Sequence, residues 1–382
     1  MGPNAYTRSS DNALMLPTLS YLNDVYFGEG KLACLPQVLE QYGLRRPLVV
    51  TDRQLRSLGF IEQTNLVDPV VFDDVETNPS ESAASLAVAA YRRSGCDSLV
   101  AIGGGSPIDL AKIAALMVNH AGSLADYALL GGGPASVEHE VPPIVAVPTT
   151  AGSGSEVGRA ALVTVADGRK LAFLSPKLLP VAAVCDPDLT TSMPAHLAAA
   201  TGMDAISHCV EAILSPRHNP VAEGLAKEGL RRGSRAILRA CSGDDSSARE
   251  EMLWCSLFGG LAFQKGLGAV HSLSHPLGRL EDLRLHHGTL NGLFLSTVIT
   301  YNAVAAPDAI RIVSDVLGGA DPATYFDDLL TRLGLPKRLA ELGVSDADLA
   351  SSAPLAVADH CTATNPRPMR EHDALELYRS CL

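Results

Sequence analysis

Charge is scarce in this chain and lopsided in sign. Only 19% of its 382 residues are charged, and 42 acidic side chains outnumber 30 Lys and Arg, a formal net charge of −12. Such a balance argues against nucleic acid or an anionic membrane as the main partner, while leaving room for a local basic pocket that binds a small anion. The eight cysteines (Cys34, Cys96, Cys185, Cys209, Cys241, Cys255, Cys361 and Cys381) are scattered and form no CxxC pair. That pattern suggests neither a disulfide framework nor a thiolate zinc site, and it fits reduced thiols in a cytoplasmic protein. No apolar run approaches the roughly 18 residues that a membrane span requires. The N-terminal MGPNAYTRSSDNALMLPTLS lacks the apolar stretch of a signal peptide, so residues 1–18 are expected to form a flexible extension. What the chain does have is apolar side chains, 47% of the total, enough for the cores of two ordinary domains.

From about Tyr21 to Asp186, short β-rich runs alternate with helical segments. Residues 48–51, 70–72, 99–102, 144–147 and 182–185 read as buried strands, and 161–165 with 170–174 flank Asp167-Gly168 as a hairpin. Residues 80–93 read as a helix capped by Ser80 and followed by Gly95. Alternation of this kind predicts an α/β fold with a mostly parallel sheet covered by helices. The strand at 99–102 runs into Gly103-Gly104-Gly105-Ser106, and Pro107 is expected to open the next helix. Glycines at such a turn let a pyrophosphate approach free backbone N–H groups, and the helix dipole favours its charge. The run lacks the third glycine of GxGxxG, and a plain tight turn would show the same residues. Gly131-Gly132-Gly133, followed by Pro134, predicts a surface loop. Asp52, at the end of the first strand, suits a ribose diol and would repel a 2′-phosphate, favouring NAD over NADP; it suits equally the N-cap of the RQLRSLG segment. The hydroxyl-rich loop 149–155 can hydrogen-bond phosphates or a nicotinamide.

After Asp186-Pro187 strand-like runs disappear. Helical periodicity occupies 196–214, 221–240, 248–265 and several segments beyond Thr289. Two domains are therefore expected, an α/β domain over 1–186 and an all-helical one over 187–382. The helical half carries GMDAISHCVEA, with Asp204 and His208 four residues apart, and GAVHSLSHPLG, where His271 and His275 repeat that spacing before His286-His287. A spacing of four places two side chains on one helix face. A capping Asp and a satisfied core His explain any one pair; all of them together point to a divalent metal with imidazole and carboxylate ligands. Ser272-Leu273-Ser274 supplies no glutamate for an HExxH protease, and no GxSxG elbow is present. A metal, a dinucleotide turn and no hydrolytic base point to redox chemistry at an alcohol or carbonyl.

From about Tyr26 to its C-terminus the chain resembles the iron-containing (group III) alcohol dehydrogenases. FGEGKLACLPQVL, VVTD, ETNPS, GGGSPIDLAK, VPTTAGSGSEV, CDPDLTTSMP, ATGMDAISHCVEA, GLGAVHSLSHPLG, HHGTLNG and TNPR occur in that family's order, in a version most like its 4-hydroxybutyrate dehydrogenase branch. The resemblance implies Asp204, His208, His271 and His287 as metal ligands and His275 as a non-ligand histidine beside the nicotinamide; a proton relay through His275 is the hypothesis for its role. It also implies Asp52, Asn78, Gly104, Gly105, Ser106, Asp109, Thr149, Thr150 and Lys170 as the cofactor side. The expected cofactors are NAD and one divalent metal, Fe2+ ahead of Zn2+ or Mn2+, and the expected assembly is a homodimer. Two features depart from many relatives: His286 stands where proline is common, and residues around Glu281-Asp282 lengthen the interval to His287.

The expected reaction is metal-assisted hydride transfer between NAD(H) and an alcohol/aldehyde pair, an ω-hydroxy acid and its semialdehyde such as 4-hydroxybutyrate and succinate semialdehyde. A carboxylate of that kind needs a cationic partner, and Lys265 and Arg159 are the candidates; a surface-seeking Lys and a structural Arg are the alternatives for each. Simple primary alcohol or diol oxidation, hydroxyacid–oxoacid transhydrogenation and a dehydroquinate-synthase-like lyase remain as other readings.

Overall fold

The computed structural model describes residues 23–129, 133–243 and 245–382. The expected extension at 1–18 and Gly131-Gly132 lie outside the described residues. In chain order the strands are β1 (Asp24–Phe27), β2 (Pro47–Val50), β3 (Val70–Phe72), β4 (Ser98–Gly103), β5 (Ile144–Pro148), β6 (Ala160–Thr164), β7 (Lys170–Leu174) and β8 (Ala182–Cys185). Six of them form one parallel sheet in the order β1-β8-β5-β4-β2-β3. The other two, β6 and β7, pair antiparallel as a separate hairpin. The helices among the strands are α1 (Leu35–Gln41), α2 (Arg53–Ser57), α3 (Glu81–Arg93) and α4 (Gly105–Asn119). β1 had no signature in the sequence; it is a short edge strand that is only partly buried.

Both faces of the sheet are covered, which is why its strands read as continuous apolar runs. Leu48, Val50, Leu99 and Ala101 pack with α3, α4 and the hairpin. Their neighbours Val49, Val100 and Ile102 point the other way, toward Leu35, Val38 and Leu39 of α1. The period of two assigns each strand side chain to a layer. Ser80 caps α3 by accepting from the Ala83 N–H, a contact worth about 1 kcal/mol.

Beyond β8 the described chain is helical: α5 (Ala195–Leu214), α6 (Pro220–Cys241), α7 (Ser246–Ala262), α8 (Ala269–Leu277), α9 (His287–Asn302), α10 (Pro307–Val316), α11 (Pro322–Leu333), α12 (Asp346–Ala358) and α13 (Glu371–Ser380). The helix expected over 248–265 ends at Ala262, and Phe263–Lys265 tighten into a 3₁₀ turn. α6, α7, α9 and α10 pack against α5. At 20 residues it is long and apolar enough to cross a membrane, contrary to the expectation from the sequence. It is nonetheless sheathed by protein and buries Asp204, His208 and Glu211, as a core helix does. Ala183 and Cys185 of β8 join the same core, tying sheet and helices together.

Candidate active site

The sheet order reverses between β2 and β4: from β2 the chain moves outward to β3, and from β4 it moves the opposite way to β5. Crevices at such a reversal, beyond the carboxyl ends of the strands, are where α/β sheets bind dinucleotides. The residues at that edge are those expected from the sequence. Gly103 has a φ of 153°, and a side chain there would collide with the Pro107 ring. α4 begins at Gly105 with Gly104 as its N-cap, so Pro107 is the third helical residue, not the first. Its missing N–H still falls among the four that an N-terminus leaves free.

The loop 149–155 lies against this turn. Thr149 N–H donates to the Gly103 carbonyl at 3.0 Å, and Thr150 and Ser153 sit over Gly104 and Gly105. Lys112 locks the loop from below. Its buried ammonium donates to the carbonyls of Ser155, Gly158 and Ala160, each at 2.8 Å. Burial pulls the Lys112 ammonium down to about 8, against the charges of Asp109 and Glu156. Asp109 is also structural: its two carboxylate oxygens accept from Ser155 Oγ and the Leu162 N–H. Asp52 is the N-cap of α2, accepting from the Leu55 N–H at 2.8 Å with Oδ1. Capping engages one oxygen only, so the two readings of Asp52 are compatible. Ser106 Oγ donates to the Thr77 carbonyl, and Lys170 Nζ donates to Asn78 Oδ1 at 2.9 Å, drawing the hairpin over the crevice.

The second half of the site is made of side chains. α5 presents Asp204 and His208, α8 presents His271, and α9 begins at His287. Gly288 lets α9 approach α5 closely, since a side chain there would run into the Ala200 carbonyl. The Nε2 atoms of His208, His271 and His287 lie 3.8, 3.7 and 3.6 Å from Asp204 Oδ1. Ligands around a tetrahedral cation at about 2.1 Å would stand roughly 3.4 Å apart; the ligand atoms of Asp204, His208 and His271 all lie within 4.8 Å of one another, a group that could hold a metal ion, and His287 adjoins it through Asp204. Three imidazoles and one carboxylate suit iron, zinc or manganese. Burial would raise the Asp204 carboxyl, but His208, His287 and His271 hold it well below its usual range. Burial pulls His208 down to about 4, against the Asp204 charge. For His271 burial is outweighed: Glu211 and Asp204 lift it to about 9. The His287 side chain is 38% exposed while the other three donors are at most 8% exposed, so the cluster opens on the His287 side.

Three residues that the sequence reading left unassigned complete this surround. Glu211 hydrogen-bonds His271 Nδ1 and accepts from the Val270 N–H at 2.7 Å, which aims Nε2 of that ring at Asp204. It lies seven residues after Asp204 and three after His208, a helical spacing that could have revealed it. Asn291 Nδ2 donates to Asp204 Oδ1 at 2.7 Å and lies 3.1 and 3.0 Å from Nε2 of His271 and His287. It is one helical turn past His287. Asp359 pairs with His275 Nδ1 at 2.9 Å from 84 residues away, a separation that carries no sequence signal.

His275 is not among the four donors. Its ring stacks on His287, centroids 5.3 Å apart and planes within 9°. His286 is the N-cap residue of α9, with its Nδ1 buried and unpartnered among the described residues. The lengthened segment forms a turn at Glu281–Leu283, with Leu283 packed on Gly343. Lys265 departs from expectation. Its ammonium is buried, 3.3 Å from the Ile213 carbonyl and 3.5 Å from Glu223 of α6. An apolar segment could not leave that charge unpaired, and Glu223 satisfies it. Arg159 makes no side-chain hydrogen bond or ion pair among the described residues, and its neighbour Gly158 packs on Phe263, whose ring lies 5.3 Å from that of His208.

The family model for iron-containing alcohol dehydrogenase matches residues 23–187, and that for the C-terminal part of the Fe-containing alcohol dehydrogenase family matches residues 198–382. The chain belongs to the iron-containing alcohol dehydrogenase family. It is 46% identical over 366 residues to a 4-hydroxybutyrate dehydrogenase of Cupriavidus necator, covering 91% of this chain and 95% of that protein. Among solved structures, a 1,3-propanediol oxidoreductase superposes with a TM-score of 0.90 at 33% identity, covering 95% of this chain and 99% of that one. A sulfoacetaldehyde reductase of Bifidobacterium kashiwanohense, solved with NAD+, superposes with a TM-score of 0.86 at 27% identity, covering 96% and 99%. This iron-containing alcohol dehydrogenase is thus an NAD-dependent oxidoreductase, and its family implies NAD and a metal as cofactors.

Proposed function

We propose that the enzyme interconverts an ω-hydroxy acid and its semialdehyde, with 4-hydroxybutyrate and succinate semialdehyde as the pair, and that Asp204, His208, His271 and His287 hold the metal. The observation that carries this reading is the meeting of the two half-sites at Lys170. Its ammonium donates to Asn78 Oδ1 on the cofactor side at 2.9 Å, and Arg279, just beyond the helix that carries His271, donates to the Lys170 carbonyl at 3.2 Å. The likeness to the Cupriavidus enzyme supports the substrate. NAD, when bound, supplies the hydride acceptor, and a divalent cation supplies Lewis-acid polarisation of the substrate oxygen.

The chain's own residues do the rest. Gly104, Gly105, Thr149 and Thr150 offer backbone and hydroxyl donors to phosphates, and Asp52 keeps one oxygen for a ribose diol. Asp204 supplies the negative charge of the metal pocket, and Glu211 and Asn291 orient its donors. Asp359 accepts from His275 Nδ1–H, which fixes the tautomer and leaves His275 Nε2 free to take or return the alcohol proton. Arg159, free of protein partners among the described residues, receives the substrate carboxylate; Lys265 is committed to Glu223 and drops out of that role.

A substrate panel tests the proposal. Arg159→Ala should raise KM for 4-hydroxybutyrate by about ten- to a hundredfold, the worth of a charged hydrogen bond, and leave KM for 1-butanol nearly unchanged. Equal effects on both would contradict it.

A further inference from the structure

A second group of donors lies outside the four around Asp204. His275, Asp359, His360 and Cys361 each offer one ligand atom, and these atoms all lie within 4.8 Å of one another. Asp359 Oδ2 is 2.9 Å from His275 Nδ1, and His360, which can give only one ring nitrogen to an ion, has Nδ1 3.5 Å from Asp359 Oδ1 and Nε2 3.5 Å from Cys361 Sγ. Donors bound to one zinc ion, at about 2.0 Å for nitrogen and 2.3 Å for sulfur, stand roughly 3.5 Å apart.

The spacing is fixed by the backbone. Asp359 caps the turn His360–Thr364 by accepting from the Cys361 N–H at 2.9 Å. Thr362 Oγ1 ties that turn to α8 through Ser272 Oγ at 2.7 Å, and Thr364 Oγ1 reaches the Leu267 carbonyl. The three consecutive residues 359–361 are thus held against the helix that carries His275. His360 stacks on His275, centroids 5.8 Å apart, and its side chain is 36% exposed, which gives an ion a way in.

We propose that His275, Asp359, His360 and Cys361 form a second cation site that takes a thiophilic dication of the zinc type. The pocket around Asp204 contains only nitrogen and oxygen donors; this one adds a thiolate, so the two sites differ in softness and the second favours zinc over iron or manganese. Binding replaces the hydrogen bond between His275 Nδ1 and Asp359 with two bonds to the cation, and the neutral imidazole carries its one proton on Nε2 instead of Nδ1. Binding also releases the Cys361 proton, which burial together with the charges of Asp359 and Glu211 holds on the thiol at neutral pH. Occupancy removes Asp359 as the partner that orients His275, so zinc inhibits the loaded enzyme. That inhibition rests on the proton role proposed for His275, whereas the binding does not.

Cobalt separates the two. With the pocket at Asp204 already loaded, a further equivalent of Co2+ should produce a thiolate-to-cobalt charge-transfer band in the near ultraviolet, because the first pocket has no sulfur. The band should vanish in Cys361→Ser and weaken strongly in His360→Ala, whose exposed position makes it the safer variant for folding. Zinc added to the loaded wild-type enzyme should lower kcat/KM on the order of 10²-fold, reversibly with a chelator, and do so only weakly in Cys361→Ser. Binding of one equivalent in total, or a band that survives in Cys361→Ser, would overturn the second site. A Cys361-dependent band without inhibition would establish the site and overturn the role of His275.

Discussion

The two halves of the site are built from different materials. The cofactor edge of the sheet is made of backbone: Gly103 to Gly105, the free N–H groups of α4, and a loop held down by Lys112. The proposed metal pocket is made of side chains from three helices, 83 residues apart at the extremes, with carboxylates and an amide behind them. A backbone cradle tolerates changes that leave its dihedrals alone. A side-chain pocket depends on each donor and on whatever aims it. Substitutions in the two regions should therefore fail in different assays.

The largest effect is expected at the pocket's only carboxylate donor. Asp204→Asn should cut kcat/KM by at least about 10³-fold and abolish stoichiometric metal, since Lewis-acid stabilisation is worth several kcal/mol, while calorimetry still shows NAD binding. Loss of NAD binding as well would break the division between the halves. His275→Ala should lower kcat by about 10²-fold or more with metal content and KM for NAD preserved. Glu211→Gln removes the charge that orients His271; metal affinity should weaken by about ten- to a hundredfold, with NAD affinity unmoved. Gly103→Ala should do the reverse. It strains a φ of 153° and collides with Pro107, so stability should fall by about 1–3 kcal/mol and KM for NAD should rise, with one metal still bound per chain.

Acidity sharpens the contrast further. His271 is lifted to about 9 in the metal-free protein, so it holds a proton that the unfolded chain has lost between roughly pH 6.5 and 9. Its stabilising contribution is complete below about 6.5 and disappears as pH rises through 9. His208, lowered to about 4, has the opposite sign: the unfolded chain takes a proton first, so stability falls as pH drops from about 6.5 toward 4. The metal-free protein should thus be most stable near pH 6.5 as far as these two groups decide it. Metal affinity should rise about tenfold per pH unit up to 9, because metal must displace the His271 proton. Denaturant titrations with and without metal measure both.

How much of this was legible in the sequence follows from the same contrast. The strands and the glycine turn could be read because their signals are local: apolar runs ended by Gly or Asp, and a helix start after β4. Spacing on helices brought out Asp204 with His208 and His271 with His275; the set of four proposed donors, with His287 in place of His275, came from the family resemblance. What lay behind them was not legible, since Asn291 and Asp359 do their work through contacts across elements, and no pattern marks Asp359 as the partner of His275. Lys265 misled for a physical reason. A lone cation in an apolar segment near a histidine pair looks like an anion site, but Glu223 of α6 meets it. Edge strand β1 was missed because one exposed and three half-buried residues show neither an apolar run nor a clean alternation.

The central claim is that the four donors around Asp204 form a metal centre that serves NAD-dependent oxidation of an ω-hydroxy acid. Metal-free protein, titrated with Fe2+ under anaerobic conditions in the presence of NAD and 4-hydroxybutyrate, tests it directly through the absorbance of NADH. The account predicts a rate that climbs in proportion to iron and levels off at one equivalent per chain. NADH formation at the full rate before any metal is added, or none at any metal concentration while 1-butanol is oxidised, would contradict it.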